Sequence, residues 1–164
     1  MTPEQLQRLR AYHHQQEGYN PLPFPLGGHT FGSLQTIGYM EPNAAQRIAT
    51  FMQQPAAFLV DIRFSPRSRL WVWNKSALQA IYGPSRDHLS RYVHLKELGN
   101  VNFKDPKLPI VLYQPDLPIQ ALAKGLSAGF SFLLVCACKN YETCHGKVVY
   151  ELVLTSLAEL SGMK

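Results

Sequence analysis

The chain has 164 residues, 46% of them hydrophobic and 16% charged, with a formal net charge of +5 and three cysteines. That length suits one domain with its own core, so neither a disulfide framework nor a structural metal is needed for folding. No apolar run approaches the ~18 residues of a membrane span, and the composition is that of a globular protein rather than a disordered or fibrous one.

Residues 2–16 predict a surface helix with Thr2 as N-cap, Pro3 in the first turn, Gln5 completing a capping box and a narrow stripe of Leu6, Leu9 and Tyr12. This polar, amphipathic start does not follow the basic-then-apolar pattern of a secretory signal, and three clustered cysteines are an odd number for a secreted framework. A soluble, reduced, cytoplasmic protein is therefore expected. Asn20 to Gly28 is too rich in proline and glycine for regular structure and predicts an extended arm. The expected division is residues 1–33 as helix and arm, and 34–164 as the folded domain.

From Leu34 the pattern alternates. A short strand to Tyr39 precedes a helix with Ile48, Phe51 and Met52 on its buried stripe, and a strand from Ala57 to Ile62 is apolar until Asp61. A basic loop then leads to Asn74, a plausible cap for a helix reaching about Tyr82. Arg91 to Leu95 predicts a third strand, Lys96 to Pro109 a loop, and Pro118 opens a helix that Gly129 can end. The run Ser131 to Cys136 predicts a buried strand, and Gly146 to Leu160 an amphipathic helix. Such alternation implies an α/β fold: a single-domain three-layer sandwich with a mostly parallel sheet of about four to five strands and helices on both faces. In such sheets ligands collect outside the carboxyl ends of the strands.

Three groups of residues fall at those ends. The first is Asp61 with Arg63, Ser65, Arg67, Ser68 and Arg69, whose forked donors and small hydroxyls suit a phosphate or carboxylate. Trp71 and Trp73 could add stacking faces for a nucleobase; the bland alternative is a structural Asp61–Arg63 ion pair with locally packed tryptophans. The second is C-x-C-x5-C-H, which closes the Ser131 strand. Cys144 and His145 stand at a helix start, where thiolates and anions are stabilised, and a thiolate beside an imidazole is the minimum for an activated nucleophile. Cys136 could equally be inert core. Cys136, Cys138, Cys144 and His145 also match zinc in ligand type, although C-x-C is tight for it. The third is His94, a candidate acid or base at a strand end or a hydrogen-bonded structural histidine. Charge agrees with the first group. Between Val60 and Ile110 nine basic residues stand against four acids, a balance of +5, and the remaining seven of each sign cancel; that excess favours an anionic partner, or else is only a solvated basic face.

Together these residues resemble a family catalogued as domain of unknown function 488, whose members look like TIG-H/Y, VDVR-x-x-P-x-S, F-N, Y-x-H-L-x-x-LG, C-A-E and C-H-R in that order. Here the positions read Thr36-Ile37-Gly38-Tyr39, Val60-Asp61-Ile62-Arg63 with Pro66 and Ser68, Trp73-Asn74, Tyr92-Val93-His94-Leu95 with Leu98-Gly99, Cys136-Ala137-Cys138 and Cys144-His145-Gly146. The resemblance covers about residues 34–155 and implies an α/β fold with a shared site but no particular reaction. Cys138 replaces the family's glutamate and Gly146 its arginine, which removes a candidate acid or base and weakens anion binding at the last helix.

The expectation is a pocket for an anionic, phosphate-bearing ligand, a nucleotide or nucleic acid. Asp61, His94, Cys136, Cys144 and His145 are the candidate catalytic residues of a hydrolase or transferase; Arg63, Ser65, Arg67, Ser68, Arg69, Trp73 and Asn74 are the anion or substrate contacts. No cofactor is required, zinc on Cys136, Cys138, Cys144 and His145 being the alternative. A non-catalytic nucleic-acid-binding module is the rival from another class. A rhodanese-like or phosphatase-like thiol enzyme fits less well, because the C-x5 spacing after Cys138 closes on Cys144 rather than arginine. No membrane partner is expected, and a homodimer is compatible with the pattern.

Overall fold

The computed structural model describes residues 31–54, 56–83 and 90–162. The amino-terminal helix and arm expected over residues 2–28 lie outside the described residues. Four strands, β1 (Leu34–Gly38), β2 (Ala57–Asp61), β3 (Tyr92–His94) and β4 (Ser131–Cys136), form one sheet in the order β1-β4-β2-β3. All neighbouring pairs are parallel, so every carboxyl end lies on the same edge. β4 is central, which is why its run Phe132 to Cys136 is apolar without alternation: both of its faces are covered.

Helices α1 (Ala44–Phe51) and α2 (Lys75–Tyr82) follow β1 and β2; α3 (Asp116–Ser127) and α4 (His145–Leu160) flank β4 in sequence. The core is divided by the sheet. On one face Ala44, Ile48 and Phe51 of α1 and Leu78 of α2 meet Ile37, Leu59, Leu133 and Val135. On the other, Ile119, Leu122 and Leu126 of α3 and Val149, Val153 and Leu157 of α4 meet Leu34, Val60 and Leu134. The i, i+4 and i, i+3 spacings put each set on one helix face. Burying each such Leu, Ile or Val contributes about 1.5–3 kcal/mol. The three-layer α/β sandwich with helices on both faces is thus present, with four strands.

Boundaries shift in two informative places. α3 begins at Asp116 rather than Pro118; a proline in the first helical turn lacks only an N–H that has no intrahelical acceptor there. Past its end, Gly129 adopts φ 92°, the left-handed conformation that glycine takes without steric cost. Residues 96–109 are less irregular than expected, with a 3-10 turn at Lys96–Leu98 and a bridge from Asn100 to Leu112.

Candidate functional site

Backbone pairing continues past the strand ends and fixes the first residues of the site. Ile62 N–H donates to the Val135 carbonyl at 3.0 Å, Leu95 N–H to the Asp61 carbonyl at 2.9 Å, and Tyr39 N–H to the Cys136 carbonyl at 3.0 Å. Gly38 is obligatory in this arrangement. A Cβ there would lie 1.6 Å from the Cys138 carbonyl oxygen, so only glycine lets the end of β1 approach the cysteine segment.

Asp61 and Arg63 form a buried ion pair, 0% and 4% exposed. Arg63 Nε donates to Oδ1 at 2.8 Å and Nη2 to Oδ2 at 2.6 Å; the Arg63 backbone N–H (3.2 Å) and the Tyr92 hydroxyl (2.7 Å) complete the carboxylate's partners. Burial works against the guanidinium charge, but the hydrogen bonds and charge of Asp61 outweigh it and raise the Arg63 pKa. Burial, then the Asp61 charge, raise that of Tyr92, which keeps the phenol a donor. Asp61 is therefore fully occupied in holding Arg63 and is not placed as a free acid or base. Arg63 Nη1 has no hydrogen-bond partner among the described residues, and its guanidinium carbon lies 5.4 Å from the Tyr39 ring centroid. Tyr39 in turn stacks on Trp73, with centroids 5.3 Å apart and planes at 15°.

Both histidines are tied to the same short segment. His94 Nε2 lies 2.8 Å from the Arg63 carbonyl and His145 Nε2 2.9 Å from the Ile62 carbonyl. A carbonyl only accepts, so Nε2 carries the proton in each ring and Nδ1 is the acceptor nitrogen. Burial lowers the His145 pKa, keeping that ring neutral at pH 7.

Two cavities share the 64–67 loop. The larger, a cleft of about 820 Å³, is lined by Phe64, Ser65, Pro66, Arg67, Ser68, Asn74, Lys75, Ser76, Gln79, His94 and Lys96. It holds three fixed cations, three serines and no carboxylate. It also receives the amino end of α2, whose first turn has no side-chain cap. The expected cap is diverted: Asn74 Oδ1 accepts instead from Ser68 N–H at 2.6 Å, tying the basic loop to the helix. The second cavity, about 490 Å³, includes Tyr39, Arg63, Ser65, Arg67, Cys138 and His145 in its wall, together with Asp105. Here Arg63 is paired with Asp61 and the wall itself includes the carboxylate of Asp105, whereas the first cleft is lined by no acid.

The single pocket expected from sequence is thus divided. Ser65, Arg67, Ser68, Asn74 and His94 come together in the cleft; Arg63 and His145 belong to the second cavity; Asp61, Cys136 and Cys144 lie beneath and line neither. Arg69 is exposed and lines neither, and Trp73 is half-buried against Tyr39. Lys75, Ser76 and Lys96 were not singled out from sequence, although the position of Lys75 and Ser76 just after a cap residue is a signal that could have found them.

The cysteines depart most from expectation. Cys138 and Cys144 form a disulfide with Cα atoms 5.8 Å apart, where reduced cysteines were expected; the 3-10 turn Tyr141–Thr143 carries the chain back to make the pairing. Cys136 is free and buried, and burial pushes its thiol up to about 11, the opposite of an activated nucleophile. The three sulfurs all lie within 4.8 Å of one another, but His145 does not join them as the zinc alternative required.

The fold and site define a small parallel α/β protein with a basic, hydroxyl-rich cleft at its strand ends. No family model, curated protein or solved structure matches the chain.

Proposed function

We propose that the protein binds a phosphate-bearing anion, a nucleotide or the end of a nucleic acid, in the cleft at the amino end of α2. The observation that carries this is the coincidence of a helix start without a side-chain cap, where among the described residues only the Lys75 N–H is taken, by the Pro66 carbonyl at 3.1 Å, with Arg67, Lys75 and Lys96 and no lining acid. Free N–H groups at a helix start point along the axis, and the helix dipole favours negative charge there. Among the described residues Arg67 and Lys75 have no carboxylate partner, so their charge is available to a ligand. Ser65, Ser68 and Ser76 supply hydroxyls of the size that phosphate oxygens accept from. His94, with Nδ1 as its acceptor nitrogen, is the group suited to moving a proton in a catalytic version.

The resemblance to domain of unknown function 488 agrees in part, since Pro66, Ser68, Asn74 and His94 of its motifs line the cleft. Addition of a nucleoside 5′-monophosphate to ¹⁵N-labelled protein is expected to shift the amide resonances of Ser76 and Ala77 first, with inorganic phosphate shifting the same amides more weakly. Shifts confined to other surfaces would reject the assignment.

One observation favours a nucleic-acid end over a free nucleotide. Trp71 is 73% exposed and stands in the chain between Ser68 and Asn74, which both line the cleft, so it offers a stacking face for an adjacent base. Affinity for a 5′-phosphorylated oligonucleotide should then fall steeply with salt as counterions are released. A free nucleotide should give a much shallower slope.

A further inference from the structure

The cysteine cluster is not used by the anion reading, and its geometry is specific. Cys136 ends β4 in the core, Cys138 is half-buried and lines the 490 Å³ cavity, and Cys144 is the N-cap of α4. Cys144 is bonded to Cys138, while the free Cys136 Sγ lies 2.9 Å from Cys144 Sγ. A central sulfur thus has a bonded neighbour on the cavity and an unbonded thiol in the core, the connectivity that thiol–disulfide exchange uses once Cys136 swings into line with the Cys138–Cys144 bond. Gly146 N–H donates to Cys144 Sγ at 3.3 Å from the first turn of a 16-residue helix, so negative charge on this sulfur is stabilised. A Cβ on Gly146 would lie 3.4 Å from Cys144 Sγ and 3.7 Å from Cys136 Sγ; the helix start therefore closes over both sulfurs.

We propose that Cys138, Cys144 and Cys136 form a thiol–disulfide relay that reduces a low-molecular-weight disulfide taken into the cavity lined by Cys138. In the fully reduced chain the Cys138 thiolate attacks one sulfur of the disulfide RSSR. The S–S bond of RSSR breaks, one RS⁻ leaves with the electron pair and takes up a proton, and Cys138 is left joined to the other RS group. The Cys144 thiolate then attacks Cys138 Sγ and expels the second RS⁻, giving the Cys138–Cys144 disulfide present in the structure. Finally Cys136 gives up its proton and attacks Cys144 Sγ. The Cys138–Cys144 bond breaks, its electron pair leaves on Cys138 Sγ, and that sulfur is reprotonated. The last step is an isomerisation. In sum, two protein thiols become one disulfide and RSSR becomes two RSH, while Cys138 is restored as a thiol on the cavity and the oxidised pair is stored in the core.

Burial makes the last step the slow one, because a thiol pushed up to about 11 has a small thiolate fraction at neutral pH. The same high pKa makes Cys136 a poor leaving group once bonded, which favours the stored form. The relay does not depend on phosphate binding in the other cleft.

The test is a time course on the full chain, reduced and then given limiting glutathione disulfide, quenched with acid and alkylated, with disulfides mapped by mass spectrometry of unreduced peptides. Cys138–glutathione or Cys138–Cys144 should form first, followed by Cys136–Cys144 with Cys138 alkylated, and two equivalents of glutathione released per disulfide formed. Cys136→Ser, or Cys136→Ala should the serine destabilise the core, is expected to stop at Cys138–Cys144. Cys138→Ser should slow glutathione release by at least about tenfold. Three outcomes would overturn the proposal: Cys136 remaining a free thiol in every oxidised species of the wild type, glutathione release unaffected by Cys138→Ser, or a stoichiometric zinc or copper that holds all three cysteines against oxidation.

Discussion

Asp61 illustrates how a residue suited to chemistry can be consumed by architecture. Its carboxylate accepts from the Arg63 side chain and backbone and from the Tyr92 hydroxyl, so it acts by holding Arg63. Breaking a buried pair leaves an uncompensated charge, and Asp61→Ala should cost about 3–5 kcal/mol. Tyr92→Phe removes one hydrogen bond to a charged acceptor and should cost about 1.5–3 kcal/mol. Urea denaturation measures both, and a Tyr92→Phe loss larger than that of Asp61→Ala would contradict the assignment. Sequence makes the Asp61–Arg63 pairing legible through their spacing of two. The Tyr92 phenol lies 31 residues away and is brought there by the parallel register of β2 and β3, which no local pattern encodes.

Two other side chains predict how stability varies with pH. The His145 pKa is lowered by burial, so the unfolded chain binds the proton more readily; its contribution is present above the unfolded value of 6.5 and is lost as pH falls below it. The Cys136 pKa is raised from 9.0 to about 11. The native state therefore holds that proton more tightly, and a contribution of roughly 2–3 kcal/mol is present below pH 9 and lost as pH rises towards 11. Denaturation curves across this range should decline on both sides, and Cys136→Ala should flatten the alkaline side alone. An unchanged alkaline limb in that variant would show that the thiol is not the titrating group.

At the scale of elements, the cleft depends on how the loop after β2 is attached to α2. Asn74 links the two by accepting from Ser68 N–H, which fixes the loop and leaves the helix start without a side-chain cap. Asn74→Ala should cost about 1 kcal/mol in stability, by thermal or urea unfolding, and should weaken nucleotide binding as the 64–70 loop loosens. A variant with reduced stability but undiminished binding would place the ligand elsewhere. The order and type of the elements were legible because the strands are apolar runs between turn residues and each helix repeats its apolar positions at three and four. The division of the pocket was not. Arg67 lines both cavities, His94 only the cleft and His145 only the second cavity, a partition that no local pattern encodes, and the cap role read for Asn74 from its position is taken up by a contact six residues back in the chain. The disulfide was missed for a related reason: composition and an odd cysteine count speak against a framework but not against one local pair closed by a 3-10 turn.

Across the whole molecule, the parallel sheet turns a scattered charge pattern into a directed one. Arg63, Arg67, Arg69 and Lys75 follow β2 and Lys96, Lys104 and Lys107 follow β3, and with all strands parallel the chain leaves both strands at the same edge. Arg67, Lys75 and Lys96 thereby converge on one cleft while the buried Asp61 neutralises Arg63. Among the described residues no helix is long and apolar enough to cross a membrane. The most direct measurement of the central claim is isothermal titration of a nucleoside 5′-monophosphate and of the same nucleoside lacking phosphate, into the wild type and into an Arg67→Ala/Lys75→Ala double variant. The phosphate-bearing ligand should bind the wild type, the bare nucleoside should not, and the double variant should lose at least about ten- to hundredfold in affinity, the equivalent of one charged hydrogen bond of 1.5–3 kcal/mol. Equal binding of the bare nucleoside, or full affinity in the double variant, would contradict the assignment of this cleft.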